Sequence, residues 1–230
     1  MSTGIKKLSP ERVWEFFYQL TRIPRPTGQM EEVTHYVESV GKKFGLETLR
    51  DEVGNVLIRK PASEGMADRP TITLQAHLDM VPQKESWSEH DFSKDPIDAY
   101  VDGEWVTARG TTLGADNGMG AALALAVLSD DHLRHGPIEA LFTVDEEQSM
   151  DGAFGLKPGF LQGKILLNCD SEKEGELFVG CAGGLDVNIS FQFKEDKYIP
   201  EGDVAVKVIL TGLKGGHSGV DIHLGRANAN

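Results

Sequence analysis

Three short apolar runs decide what this chain can fold into. Residues 71–76, 138–144 and 164–168 each read as a strand. Between and before them lie stretches with helical spacing. Val13, Phe16, Phe17 and Leu20 mark one helix; Val33, Tyr36, Val37 and Val40 mark a second; residues 121–128 are a run of small apolar residues that makes a third. Strands alternating with helices predict an α/β sheet with parallel pairs. In such sheets, function gathers just past the carboxyl ends of the strands. The three runs end in His77-Leu78-Asp79, in Asp145-Glu146-Glu147, and in Cys169-Asp170.

The other elements follow from local signals. Ser9 caps the first helix, with Pro10 at its first position. Residues 23–26 (Ile-Pro-Arg-Pro) break it. Thr27 caps the second helix, which runs to about Phe44 and stops at Gly45. Strands at 47–50 and 56–60 flank a turn, and 99–108 reads as a hairpin around Asp102-Gly103. Residues 177–181 are a further candidate strand. After Gly183-Gly184 the character changes: weakly alternating strands are expected at 185–193 and 203–211, then a glycine-rich loop, 212–219, carrying His217. This divides the chain into 1–183 and 184–230. Two strands cannot stand as a domain, so the second part reads as the beginning of one, in the front part of a longer protein.

A formal net charge of -13 argues against nucleic acid or an anionic membrane surface as a partner. Two cysteines, Cys169 and Cys181, give no disulfide framework and suit a reducing compartment. The first ten residues have no apolar core of a secretory signal, and the longest apolar run is too short to span a bilayer. The chain is expected to be cytoplasmic.

The chemistry starts at His77. Residues i and i+2 of a strand point to one face, so Asp79 is placed to hold the second ring nitrogen of His77, as a metal-bound imidazole requires. An isolated His-x-Asp pair is more often an ordinary loop, and the downstream residues carry the case. Residues 110–120, Gly-Thr-Thr-Leu-Gly-Ala-Asp-Asn-Gly-Met-Gly, form a glycine-rich turn that opens the third helix. Asp116 there either faces a ligand or caps the helix. A phosphate loop is disfavoured, because no lysine follows the glycines and the turn is already acidic. Glu146 and Glu147 are either a solvated acidic loop or a divided pair, one ligating and one free as a base. Asp170 is a ligand, a turn residue or a cap. Imidazole with carboxylates suits zinc, manganese or cobalt and lacks the thiolates of a structural zinc site. One histidine among several carboxylates points to two metals bridged by one carboxylate.

Residues 76–82, 110–118, 143–147 and 168–172 resemble the co-catalytic zinc exopeptidases of the aminoacylase/carboxypeptidase type, and among them the aminoacyl-histidine (cytosol non-specific) dipeptidases. The resemblance implies a mixed sheet flanked by helices, residues 1–183, as the N-terminal part of a catalytic domain. Residues 184–230 then begin an inserted α+β lid domain through which the full-length protein forms a homodimer. It implies hydrolysis of small peptides, Xaa-His dipeptides and broader, with two zinc ions, or manganese or cobalt. His77 and Asp170 would bind one ion, Glu147 the other, and Asp116 both. Asp79 would orient His77, Glu146 would be the general base, and His217 would steady the substrate carbonyl from the lid. The peptide after Asp116 is expected to be cis. The family's second metal takes a further histidine from the C-terminal end of the catalytic domain; His90, His132, His135 and His223 do not stand in that context and read as surface residues. The chain alone is therefore expected to be inactive and to hold one zinc tightly. The alternatives are a deacylase or desuccinylase on the same scaffold, or a non-catalytic fragment.

Overall fold

A computed structural model describes residues 2–171, 173–181, 187–194, 202, 204, 206–215 and 222–226. The apolar runs become the centre of a five-stranded mixed sheet, in the order β1-β2-β6-β3-β7. Its strands are β1 (Glu47–Arg50), β2 (Val56–Lys60), β3 (Ile72–His77), β6 (Ile138–Thr143) and β7 (Ile165–Asn168). β3 pairs parallel with both β6 and β7, while β1–β2 and β2–β6 are antiparallel. The hairpin β4 (Ala99–Asp102) and β5 (Trp105–Ala108) stands apart as a second sheet. Gly103 at its tip takes a positive φ of 60°, which glycine adopts without steric cost.

Three helices cover one face of the main sheet: α1 (Glu11–Thr21), α2 (Glu31–Lys43) and α3 (Ala115–Ser129). A one-turn helix, α4 (Asp151–Phe154), follows β6. The core between sheet and helices joins Phe17, Leu20, Val33 and Val37 to Val56, Ile58, Ala140 and Phe142. Burial of each large side chain there contributes about 1.5–3 kcal/mol. Alanines at 121, 122, 124 and 126 let α3 lie close against α1 and the sheet. Leu57 and Leu141 are buried on the opposite face, so residues 56–58 of β2 and 140–142 of β6 are apolar on both faces instead of alternating.

Local expectations fail in four places. Ser9 does not cap α1; Pro10 itself occupies the cap position, after a cis bond. Thr27 does not cap α2, which starts four residues later, because its hydroxyl is used elsewhere. Residues 177–181 form no strand, and the described parts of 185–193 and 203–211 form none either. His90 and His135 are half-buried, with His90 against the Phe92 ring and His135 bonded to the Gly136 carbonyl.

The chain divides into two units, Met1–Val179 and Gly180–Asn230. The second contains a 3-10 turn, Ile222–Leu224, among its described residues. The expected boundary at Gly184 and the residue His217 lie outside the described residues. No helix among the described residues is long and apolar enough to cross a membrane.

Candidate metal centre

The parallel pairing of β3 with two neighbours brings three strand ends to one edge. His77 is level with Thr143, and Gln75 with Asn168. Glu146 and Glu147 follow Thr143 by three and four residues, and Asp170 follows Asn168 by two. A row of side chains ties these ends together: Gln75 Nε2 donates to Thr143 Oγ1 at 3.1 Å, Asn168 Nδ2 donates to Gln75 Oε1, and the Asp170 amide donates to Asn168 Oδ1 at 2.9 Å.

Asp116 arrives from the mouth of α3. Gly114 has φ 71°, Asp116 and Asn117 depart from helical dihedrals, and the bond between these last two is cis, as expected. This turn projects the Asp116 carboxylate to 3.1 Å from His77 Nε2. Asp170 Oδ1 lies 3.6 Å and Glu146 Oε2 3.8 Å from the same nitrogen. Two donor sets converge there, His77 with Asp116 and Asp170, and His77 with Glu146 and Glu147, each with atoms within 4.8 Å of one another. Ligands about 2.1 Å from a tetrahedral ion sit roughly 3.4 Å apart, and the spacings from His77 to Asp116 and to Asp170 are close to that, so these three residues could hold one metal ion. Glu147 and Asp116 also line a cleft of about 290 Å³ with Val81, Thr112, Leu113, Gly114 and Ala115.

Behind this set lies Asp79, fully buried. Its Oδ1 is 3.3 Å and its carbonyl 3.1 Å from His77 Nδ1. Two acceptors at Nδ1 hold a proton there and leave Nε2 facing the carboxylates, where it could ligate a cation. The same carboxylate accepts the amides of Glu146 and Glu147, at 3.0 and 3.1 Å, and the Thr27 hydroxyl at 2.9 Å. Asp79 thus fixes the histidine and the glutamate loop together. Burial alone would raise its pKa; the His77 hydrogen bond and the two amides bring it down to about 2.

The electrostatics demand a cation. Burial works against a charged His77, yet hydrogen bonds to Asp116, Asp170 and Asp79 push its pKa up to about 12. The proton stands where a metal's charge would. Burial, reinforced by Asp116, raises Glu147 to about 7. Burial also raises Glu146, opposed by His77 and helped by Asp170.

Three supporting residues carry no sequence signal of their own: Arg25, Thr27 and Asn55. Asn55 accepts the Val144 amide and donates to the Gly152 carbonyl, holding the segment that leads to Glu146. The Pro-Arg-Pro segment reads only as a helix break.

Comparison with known proteins fits this geometry. The chain is 53% identical over 226 residues to the cytosol non-specific dipeptidase of Escherichia coli K12, covering 98% of this chain and 46% of that protein. The structure of the aminoacylhistidine dipeptidase from Vibrio alginolyticus superposes with a TM-score of 0.74 at 53% identity, covering 75% of this chain and 35% of that one. A tripeptidase from Staphylococcus aureus shares the fold, with a TM-score of 0.60 at 21% identity over 74% of this chain and 45% of its own. The chain spans less than half the length of these relatives. The model of peptidase family M20/M25/M40 matches residues 73–208, the stretch that holds His77, Asp116, Glu146, Glu147 and Asp170, and the chain belongs to that family.

Proposed function

We propose that this chain carries the metal-binding side of a metal-dependent dipeptidase, acting on Xaa-His and other small peptides. The observation that carries the reading is the meeting of His77, Asp116 and Asp170 at one point, with the Glu146 carboxylate 3.8 Å from the same ring nitrogen. His77 and Asp170 would hold one ion and Glu147 a second, with Asp116 shared between them; the metal would be zinc, or manganese or cobalt. When bound, the two ions polarise the peptide carbonyl and acidify a water.

Glu146 takes the proton of the attacking water and returns it to the leaving amine. Burial shifts its pKa upward, the direction that favours a carboxylate acting as a base. Asp79 keeps His77 in one tautomer and holds the Glu146 backbone, so base and ligand move as one body. His217, in the second unit, steadies the substrate carbonyl. Residues 184–230 begin a lid that also dimerises the full-length protein. The names of the Escherichia coli and Vibrio relatives support a dipeptide substrate and a cytosolic setting, and the charge of -13 disfavours nucleic acid.

The test is Glu146→Gln in a polypeptide of the relatives' full length. Zinc content should stay unchanged while kcat on an Xaa-His dipeptide falls about 10²–10⁴-fold. Undiminished turnover by this variant, or a wild type that cleaves N-acyl or succinyl substrates and no dipeptide, overturns the proposal.

A further inference from the structure

Arg25 is the largest fully buried side chain among the described residues, at 1% exposure. It lies between α1 and α2, far in sequence from any candidate ligand. Its Nη1 donates to the carbonyls of Leu78 at 2.8 Å and Asp79 at 3.3 Å, and its Nη2 donates to the carbonyl of Gly114. The first two carbonyls belong to the loop that follows His77. The third sits two residues before Asp116. One rigid planar group therefore spans both loops of the closest ligand pair, and its own carbonyl accepts the Met80 amide at 3.1 Å, closing the loop from the other side.

Two of the four glycines in residues 110–120 make room for it. A Cβ on Gly114 would lie 2.6 Å from Arg25 Nη2, and one on Gly118 would lie 2.7 Å from it. Gly114, just before α3, and Gly118, in its first turn, thus leave the space that the guanidinium fills. Burial pulls the Arg25 pKa down to about 10, against the pull of Asp79 and Asp116, and the group stays charged at neutral pH.

We propose that Arg25 is a positioning residue, setting the spacing of His77 and Asp116 by holding the carbonyls of both loops and thereby fixing the affinity of the metal site. The inference rests on the reading of that site as a metal centre. A lysine cannot replace the fork: its single ammonium cannot span the carbonyls of both loops in one plane.

The experiment compares wild type, Arg25→Lys, Gly118→Ala and Lys60→Met. Lys60 is buried at the opposite end of α3, where its Nζ donates to the carbonyls of Val127 and Asp130, and it serves as the control for stability loss alone. Gly118→Ala keeps the arginine but drives a methyl group against it, and carries the test should Arg25→Lys fail to fold. Zinc affinity is read by chelator competition, ligand geometry by the visible spectrum of the cobalt(II) form, and stability by Tm without metal. Arg25→Lys and Gly118→Ala are expected to lose about 10-fold or more in zinc affinity, with an altered cobalt spectrum. Lys60→Met, at a comparable loss of Tm, should keep both. Wild-type affinity and spectrum in a folded Arg25→Lys and in Gly118→Ala overturn the inference and leave the site standing. A wild type that binds no zinc overturns the site and the inference together.

Discussion

His77 is the residue whose protonation state the whole site sets. Three carboxylates face its ring, and without a metal they hold it doubly protonated, with a pKa of about 12. Zinc binding must therefore expel a proton from His77 at any neutral pH. Glu147 adds a second proton at lower pH. Its carboxyl is raised from 4.5 to about 7, so it is largely protonated at pH 6 and largely ionised at pH 8, and a nearby cation drives the proton off. Calorimetry in buffers of different ionisation enthalpy should find about two protons released per zinc at pH 6, falling toward one at pH 8. A release that stays constant across this range would show that Glu147 does not feel the metal. The residues that cluster at the sheet edge, His77, Asp116, Glu146, Glu147 and Asp170, were legible in the sequence, because each sits just past an apolar run or in a glycine turn. Arg25, Thr27 and Asn55 were not. Their partners lie 52 to 97 residues away, and most are backbone carbonyls and amides that no side-chain pattern reveals.

At the scale of elements, the site depends on strand register. β7 brings Asp170 to the edge, and the chain entering β7 is anchored by Glu139 of β6. That carboxylate is buried and accepts the amides of Gln162 and Gly163 at 2.9 Å, Arg59 Nε at 2.9 Å, and the Thr73 hydroxyl at 3.2 Å. Removing it leaves two amides without their acceptor and takes the closest carboxylate from the largely buried Arg59, which keeps Glu47 and the Phe160 carbonyl. Glu139→Ala should cost about 3 kcal/mol in urea unfolding; a change under about 0.5 kcal/mol would mean that the network holds nothing. The strands of the sheet, the hairpin and all three long helices were readable from apolar spacing, since burial on a sheet face or helix stripe is a local pattern. Caps were read poorly. Thr27 has the chemistry of a cap, but Asp79 claims its hydroxyl, and α2 instead begins with Glu31 and Glu32, whose charges suit a helix N-terminus. Residues 177–181 carry a strand's apolar pattern but pair with no neighbour among the described residues.

At the scale of the whole molecule, a chain of net charge -13 concentrates five acids around one histidine at the edge of its sheet. Such a cluster is costly unless a cation occupies it, and Arg25 supplies only one charge from behind. The fold, with parallel strands and functional residues past their carboxyl ends, is that of the peptidase family to which the chain belongs. His77, Asp116 and Asp170 offer three donor atoms that could hold one ion, the number of protein ligands a catalytic zinc takes. The other donor set is His77 with Glu146 and Glu147, and it contains no second histidine among the described residues. The most direct measurement is a calorimetric zinc titration of the 230-residue chain beside its His77→Ala variant. One tightly bound equivalent is expected, with a second bound weakly or not at all, and the tight site absent from His77→Ala. Two tight equivalents, no tight zinc at all, or equal binding by the variant would contradict a metal centre built on His77.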